Sequence, residues 1–392
     1  MQPSVGHVVA SGNGRMVDLD GVRAIAIWMV MVMHVCYAFP NGPGALSSVP
    51  RPIMQIVGHG WLGVDLFFLL SGFLITGILL RAKGRPHYFR NFYVRRVLRI
   101  MPLYFAVILV WSLTYHGYSR YFLLGSVFCA NLAQLLNVHH GHGPATLWSL
   151  AVEEHFYLLW PLIVLLLRRR ALTIFAAAIF VLTPILRAIF AAHGMNPQMM
   201  YELSWFRFDG LAAGALLAIW ADSKVPSHRD GLRIAAILLA TVAVLTVVEA
   251  PFGLFVTGTP AAVGLRYTQA YLFFGAFFVL VLAFRGTVWT SPLRWRFLQL
   301  SGALSYCLYL VHHSVGDGYE YLLARWRIPV VSYFGVSGAV LVRGVVMLVV
   351  SFGIALLSRK YLEGPFLALK DRFTEAEPAK PTLPASSLVN AA

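Results

Sequence analysis

The chain has 392 residues, of which 59% are hydrophobic and only 12% charged. Soluble domains carry about 25% charged residues, so this composition excludes an ordinary soluble enzyme and implies a polytopic membrane protein. The formal charge of +15 is not a nucleic-acid footprint, because the arginines punctuate the apolar runs and form no single face or tail.

The first fifteen or so residues lack the charge and core pattern of a cleaved signal peptide. Residues 1–18 read as a cytoplasmic tail, and the first helix as a retained insertion signal. Ten spanning helices follow, over 22–39, 58–80, 101–116, 147–167, 172–192, 203–220, 231–250, 265–284, 301–320 and 334–358. Residues 120–137 read as a re-entrant or interfacial helix, since an eleventh span would break the charge alternation. With both termini cytoplasmic, 22 Lys and Arg residues fall inside, four fall outside (Arg51, Arg120, Arg325 and Arg327), and five lie in or at the edges of helices. That split follows the positive-inside rule. The tail from 367 reads as cytoplasmic and disordered. With no appended soluble domain expected, any chemistry belongs in the membrane core. No phosphate-loop, dinucleotide or HExxH zinc motif occurs. Cys36, Cys129 and Cys307 have neither disulfide nor metal spacing.

Helix 1 carries the strongest chemical signal. Arg23 and His34 are eleven residues apart in GVRAIAIWMVMVMHVCYAF. At ~100° and ~1.5 Å per residue they share one helical stripe, ~16 Å apart. Ionisable groups at membrane depth are costly and usually functional. A cation near one face with a titratable imidazole deeper in is a layout for presenting an anionic cofactor to a base. Further along stand Asp65 in helix 2, Glu153 and Glu154 in LWSLAVEEHFYLLWP, Arg207 and Asp209 in WFRFDGLAAGALLA, and His312 and His313 in SYCLYLVHH. Helix direction places them all in the outer half of the membrane, converging on one buried polar site.

Each has a plainer reading. His34 serves equally as a hydrogen-bonded core histidine, and the two glutamates as partners of a helix dipole. Arg207 and Asp209 cannot face each other on one helix, so each needs a partner elsewhere. Asp65 is either a site residue or the counter-charge of Arg207. His139, His140 and His142 resemble a metal cluster but sit in a loop without a scaffold, and no metal is expected. In loop 81–100, Arg95, Arg96 and Arg99 suit phosphate oxygens, or simply topology and lipid headgroups. SGFLIT at 71–76 is a small-residue stretch suited to close helix packing.

Taken in order, LDGVRAIAI…H (19–34), GVDLFFLLSGFLIT (63–76), RRVLRIMPLY (95–104), LWSLAVEEHFYLLWP (147–161), SYCLYLVH (305–312) and EGPF (363–366) resemble the membrane acyltransferase family 3. Its members include O-antigen acetylases and macrolide acyltransferases. The resemblance runs over 19–366. Ala24 stands where the family often has Gly, and His155 where Gln is common. The resemblance implies transfer of an acyl group, acetyl the expected one, from acyl-CoA to a hydroxyl of a carbohydrate or other small molecule, in the bacterial inner membrane. It maps the family's signature pair onto Arg23 and His34. On that footing Arg95, Arg96 and Arg99 hold the acyl-CoA phosphates, and His34 is the general base. Glu153 or Glu154 orients it, and Arg207 or Tyr309 stabilises the oxyanion. Asp65, Asp209 and His312 complete the site. Direct transfer and an acyl-His34 intermediate both remain open. The rival function is a transporter of a small polar or acyl-bearing solute, against which stands the lack of an inverted-repeat pattern.

Overall fold

A computed structural model describes residues 16–37, 49–114, 119–138, 145–223, 227–250 and 259–373. The first fifteen residues, the His139–His142 loop and the tail beyond 373 lie outside the described residues. Every regular element among the described residues is a helix, with no strand. The elements are α1 (Val17–Tyr37), α2 (Arg51–Gly58), α3 (Leu62–Ala82), α4 (Tyr88–Thr114), α5 (Ser119–Ser126), α6 (Leu147–Leu166), α7 (Arg169–Ala192), α8 (Pro197–Glu202), α9 (Phe208–Ser223), α10 (His228–Glu249), α11 (Pro260–Ala283), α12 (Arg296–Trp326), α13 (Val330–Ser358) and α14 (Gly364–Phe373).

Ten of these are long, and they correspond one to one with the ten apolar runs. Eight stretches are long and apolar enough to cross a membrane, so the chain is a multi-pass membrane protein. The two long helices that miss that standard do so for different reasons. Helix α9 has only 16 residues, whereas α12 has 31 but Gln299, His312 and His313 interrupt its apolar part, and Asp317, Glu320 and Arg325 follow in its second half. At ~1.5 Å per residue α12 is ~46 Å long, well beyond a ~30 Å hydrocarbon core. Helix α4 likewise begins at Tyr88 rather than 101, because the basic stretch continues the helix past its apolar part. Residues 120–137 form no span. The helix stops at Ser126, Phe128 takes a left-handed φ of 56°, and a single 3-10 turn follows at Ala130–Leu132.

Helix α1 lies between α12 and α3, and α3 packs along α9. Small residues permit these close crossings. A Cβ on Gly72 would overlap the Leu211 carbonyl oxygen, one on Gly214 the Leu69 carbonyl, and one on Gly302 the Asp20 carbonyl. The small-residue stretch at 71–76 is therefore the α3 side of the α3–α9 contact. Gly72→Val is expected to lower stability by ~1–3 kcal/mol through overpacking. Thermal unfolding in detergent checks this, and an unchanged melting point would refute it.

Candidate active site

Two cavities meet inside the bundle. The first, about 720 Å³, opens beside the N-terminal end of α1. Arg23, Arg81, Arg95, Arg96, Arg99 and Arg359 line it, against the three carboxylates Asp20, Glu153 and Glu363. This cationic surplus suits a polyanion. The second, about 1600 Å³, lies at the C-terminal end of α1. It contains His34, His59, Trp61, Glu202, Arg266 and His313.

Tyr309 and Val64 line both cavities. Tyr309 is buried, with its hydroxyl 2.6 Å from that of Ser149. The Ser149 hydroxyl donates to the Thr146 carbonyl at 3.0 Å. The proton between the two side chains must therefore be Tyr309's, donated to Ser149 Oγ. Tyr309 is the wall between the two spaces and is itself hydrogen-bonded shut.

The histidines sit on the far side of that wall. His312 is fully buried, and its Nδ1 lies 3.0 and 2.9 Å from the Leu308 and Tyr309 carbonyl oxygens. Carbonyls only accept, so Nδ1 carries the hydrogen and Nε2 of the neutral ring is an acceptor. His34 Nδ1 lies 2.9 Å from the Val30 carbonyl and 3.3 Å from His312 Nε2. Both partners accept, so His34 Nδ1 must donate and its Nε2 is left with a free lone pair. A general base needs that tautomer. His313, whose ring is 5.3 Å from that of His34, pairs with Asp317 one turn later at 3.1 Å.

The backbone at His34 is fixed from outside. The last carbonyls of a helix have no partner within it. Here Arg343 of α13 donates to the His34 carbonyl at 2.7 Å and to that of Val35 at 3.1 Å. Glu320 holds the Arg343 Nε at 3.0 Å.

The polar groups do not form the single cluster expected from helix direction. Glu153 faces the arginine cavity and accepts from Tyr157 at 3.2 Å, and Tyr157 is bonded to Ser71. Glu154 lines neither cavity, and its Oε1 is buried without a hydrogen-bond partner among the described residues. Neither glutamate contacts His34, so the carboxylate-oriented histidine is replaced by a backbone carbonyl and a second imidazole. The physical reason is azimuthal. Order along the chain fixes depth, but the facing direction of α6 is set by packing.

Asp65 and Arg207 pair directly, both fully buried, and Arg187 pairs with Asp209 at 2.7 Å. The Arg207 guanidinium also lies 4.1 Å from the Tyr267 ring centre and 5.1 Å from that of Tyr201. None of these four charges lines either cavity. Asp65 is thus the counter-charge of Arg207. Residues that spacing alone did not single out include Ser149, Arg343, Arg81, Arg359 and Glu363. The basic positions were legible as charges, but only the fold turns them inward.

The model of a family described as an acyltransferase domain matches residues 16–358 of the chain. Over 323 residues the chain is 28% identical to a Bacillus subtilis protein provisionally named a peptidoglycan O-acetyltransferase, covering 76% of this chain and 48% of that one. It is 25% identical over 330 residues to a peptidoglycan O-acetyltransferase of Listeria monocytogenes, with 76% and 49% covered. It is 24% identical over 352 residues to a Staphylococcus aureus protein provisionally named an O-acetyltransferase, with 81% and 54% covered. The chain spans about half the length of these curated relatives. No solved structure matches it.

Proposed function

The chain belongs to the membrane acyltransferase family 3, and from that premise we propose that it moves an acetyl group from acetyl-CoA, through the wall at Tyr309, to a carbohydrate hydroxyl. The observation that carries this reading is the meeting of an arginine-lined cavity and a histidine cavity at Tyr309 and Val64. O-acetyl transfer is the activity named for the relatives, and a hydroxyl-bearing carbohydrate such as peptidoglycan is their kind of acceptor.

The donor's phosphates bind Arg95, Arg96 and Arg99, with Arg23 lining the same cavity, because guanidinium forks match phosphate oxygens. That cavity opens to the cytoplasm of a bacterial inner membrane, on the side to which the positive charge of the loops points. The pantetheine arm then runs along α1, with ~16 Å between Arg23 and His34 at the helical rise, and carries the thioester to Tyr309. The acceptor hydroxyl comes from the histidine cavity. His34 Nε2 takes its proton as the oxygen attacks the thioester carbon. Tyr309 releases Ser149 and donates to the developing oxyanion. The intermediate collapses with cleavage of the C–S bond, and the imidazolium returns the proton to the departing thiolate. His312 and Arg343 are positioning residues for His34. Glu153 stays with the Tyr157–Ser71 group beside the donor cavity.

The test uses purified full chain in detergent with free CoA read by a thiol reagent. Arg99→Gln should raise the KM for acetyl-CoA by about ten-fold, the scale of one charge-assisted hydrogen bond. It should leave S-acetylpantetheine, which has no phosphate, unaffected. Equal effects on both donors, or none on either, would refute the assignment of this cavity.

A further inference from the structure

The histidine cavity is larger than a sugar site at His34 requires, and its far part has a different character. On α11, Arg266, Ala270, Phe273 and Phe274 all line it. The spacings of four, seven and eight residues place them on one helical stripe. Arg266 stands at the N-terminal end, ~6 Å above Ala270 and ~11 Å above the phenylalanine pair at the helical rise. Beside this stripe α10 packs against α11, with Gln269 of α11 3.5 Å from the Thr246 hydroxyl, and Val242 and Thr246 add to the lining. Phe273 is 53% exposed, and Ile56 of α2, which also lines the cavity, is 74% exposed. Phe273, on a helix apolar enough to span the membrane, leaves the cavity open on its α11 side, with a cation at one end of an apolar groove.

Among the described residues Arg266 has no carboxylate partner. Its guanidinium lies 5.8 Å from the Trp61 ring centre and 4.7 Å from that of Tyr267, and Nη2 donates to the Tyr267 hydroxyl at 2.6 Å. Its Nε is buried with no hydrogen-bond partner among the described residues. The carboxylate in this cavity, Glu202, is held by Gln134 at 3.3 Å and Gln198 at 2.8 Å. A soluble sugar has no use for a groove that runs down into apolar helix surface. A phosphate followed by a hydrocarbon chain matches both parts.

We propose that this groove binds a lipid-linked saccharide, with its phosphate on Arg266, its hydrocarbon along the Ala270–Phe274 stripe of α11, and its sugar hydroxyl at His34. The proposal rests on the acyl-transfer reading above and names the form in which the acceptor arrives.

The experiment measures binding of tritiated farnesyl phosphate to the full chain in phosphatidylcholine nanodiscs. Saturable binding is expected for the wild type. Arg266→Gln should weaken it by about ten-fold, as loss of one charge-assisted contact does. Arg266→Lys should retain most of it, which separates charge from misfolding. Ala270→Trp, which fills the groove and leaves the cation, should also weaken it. Inorganic phosphate and phosphatidylglycerol should compete poorly. No saturable binding, binding indifferent to both Arg266→Gln and Ala270→Trp, or equal displacement by phosphatidylglycerol would each overturn the proposal. The last would identify an ordinary anionic-lipid site. Acetyl-CoA turnover does not enter this measurement, so failure here is distinct from failure of the transferase reading.

Discussion

His34→Ala lowers the rate of acetyl transfer by about 10²- to 10⁴-fold, the range general bases supply, while acetyl-CoA binding is kept. The expectation follows from where the two functions sit. The arginines proposed to hold the donor line one cavity and His34 the other. A histidine acting only as a core hydrogen-bond partner would give a different pattern, in which His34→Gln restores the rate because an amide can still donate to the Val30 carbonyl. A base cannot be replaced by an amide, so His34→Gln should be as slow as His34→Ala. His312→Ala should be milder and should move the pH–rate profile, because it removes the acceptor that helps fix the Nδ1–H tautomer of His34. Stopped-flow thiol release with a saturating donor measures all three. Full activity of His34→Gln would remove the base from the account.

Arg207→Ala is the variant expected to damage the fold most. It leaves Asp65 fully buried without its counter-charge, a change that costs ~3–5 kcal/mol. The double variant Asp65→Leu with Arg207→Met removes both charges and should recover most of that loss, since a buried pair replaced by apolar groups is often neutral. Size-exclusion profiles and thermal unfolding in detergent read this directly. The pair also decides between two roles for Arg207. As structural charge, it is dispensable once Asp65 is neutral, and the double variant transfers acetyl groups. As oxyanion holder, it is needed in any background, and the double variant folds but is slow. The first result is expected, because neither residue lines a cavity.

Much of this molecule is legible in its sequence, and the boundary between what is and is not has a physical origin. The ten long helices follow from ten apolar runs, since lipid demands that each backbone group be satisfied within its own segment. Their ends are less legible where helices leave the apolar region. Helix α4 starts at Tyr88 and α12 runs on to Trp326, through residues that no hydropathy window assigns to a span. The Arg23–His34 stripe is read from spacing alone, because both residues lie on one uninterrupted helix. The sequence leaves two readings of Asp65 open, and its direct pairing with Arg207 in the fold decides for the counter-charge.

What spacing cannot supply is azimuth between helices. Glu153, Asp65 and His312 share a depth on paper yet belong to three different environments. Glu153 turns to the arginine cavity, Asp65 to Arg207, and His312 to His34. The partners that set the tautomer and backbone of His34 come from α12 and α13, more than 270 residues away in the chain. No local pattern announces them. Tyr309 was legible as a polar group in SYCLYLVH, but its place as the wall between two cavities is a property of the assembled bundle.

In the proposed mechanism donor and acceptor meet across Tyr309 from opposite sides of the protein. Proteoliposomes with [¹⁴C]acetyl-CoA confined to one side and a lipid-linked saccharide in the other leaflet test it most directly. With the protein oriented so that the arginine cavity faces the donor, label should appear on the saccharide across the membrane without any acetyl-CoA crossing, and His34→Ala should abolish it. Label that appears only when donor and acceptor share one side would rule out transfer across Tyr309.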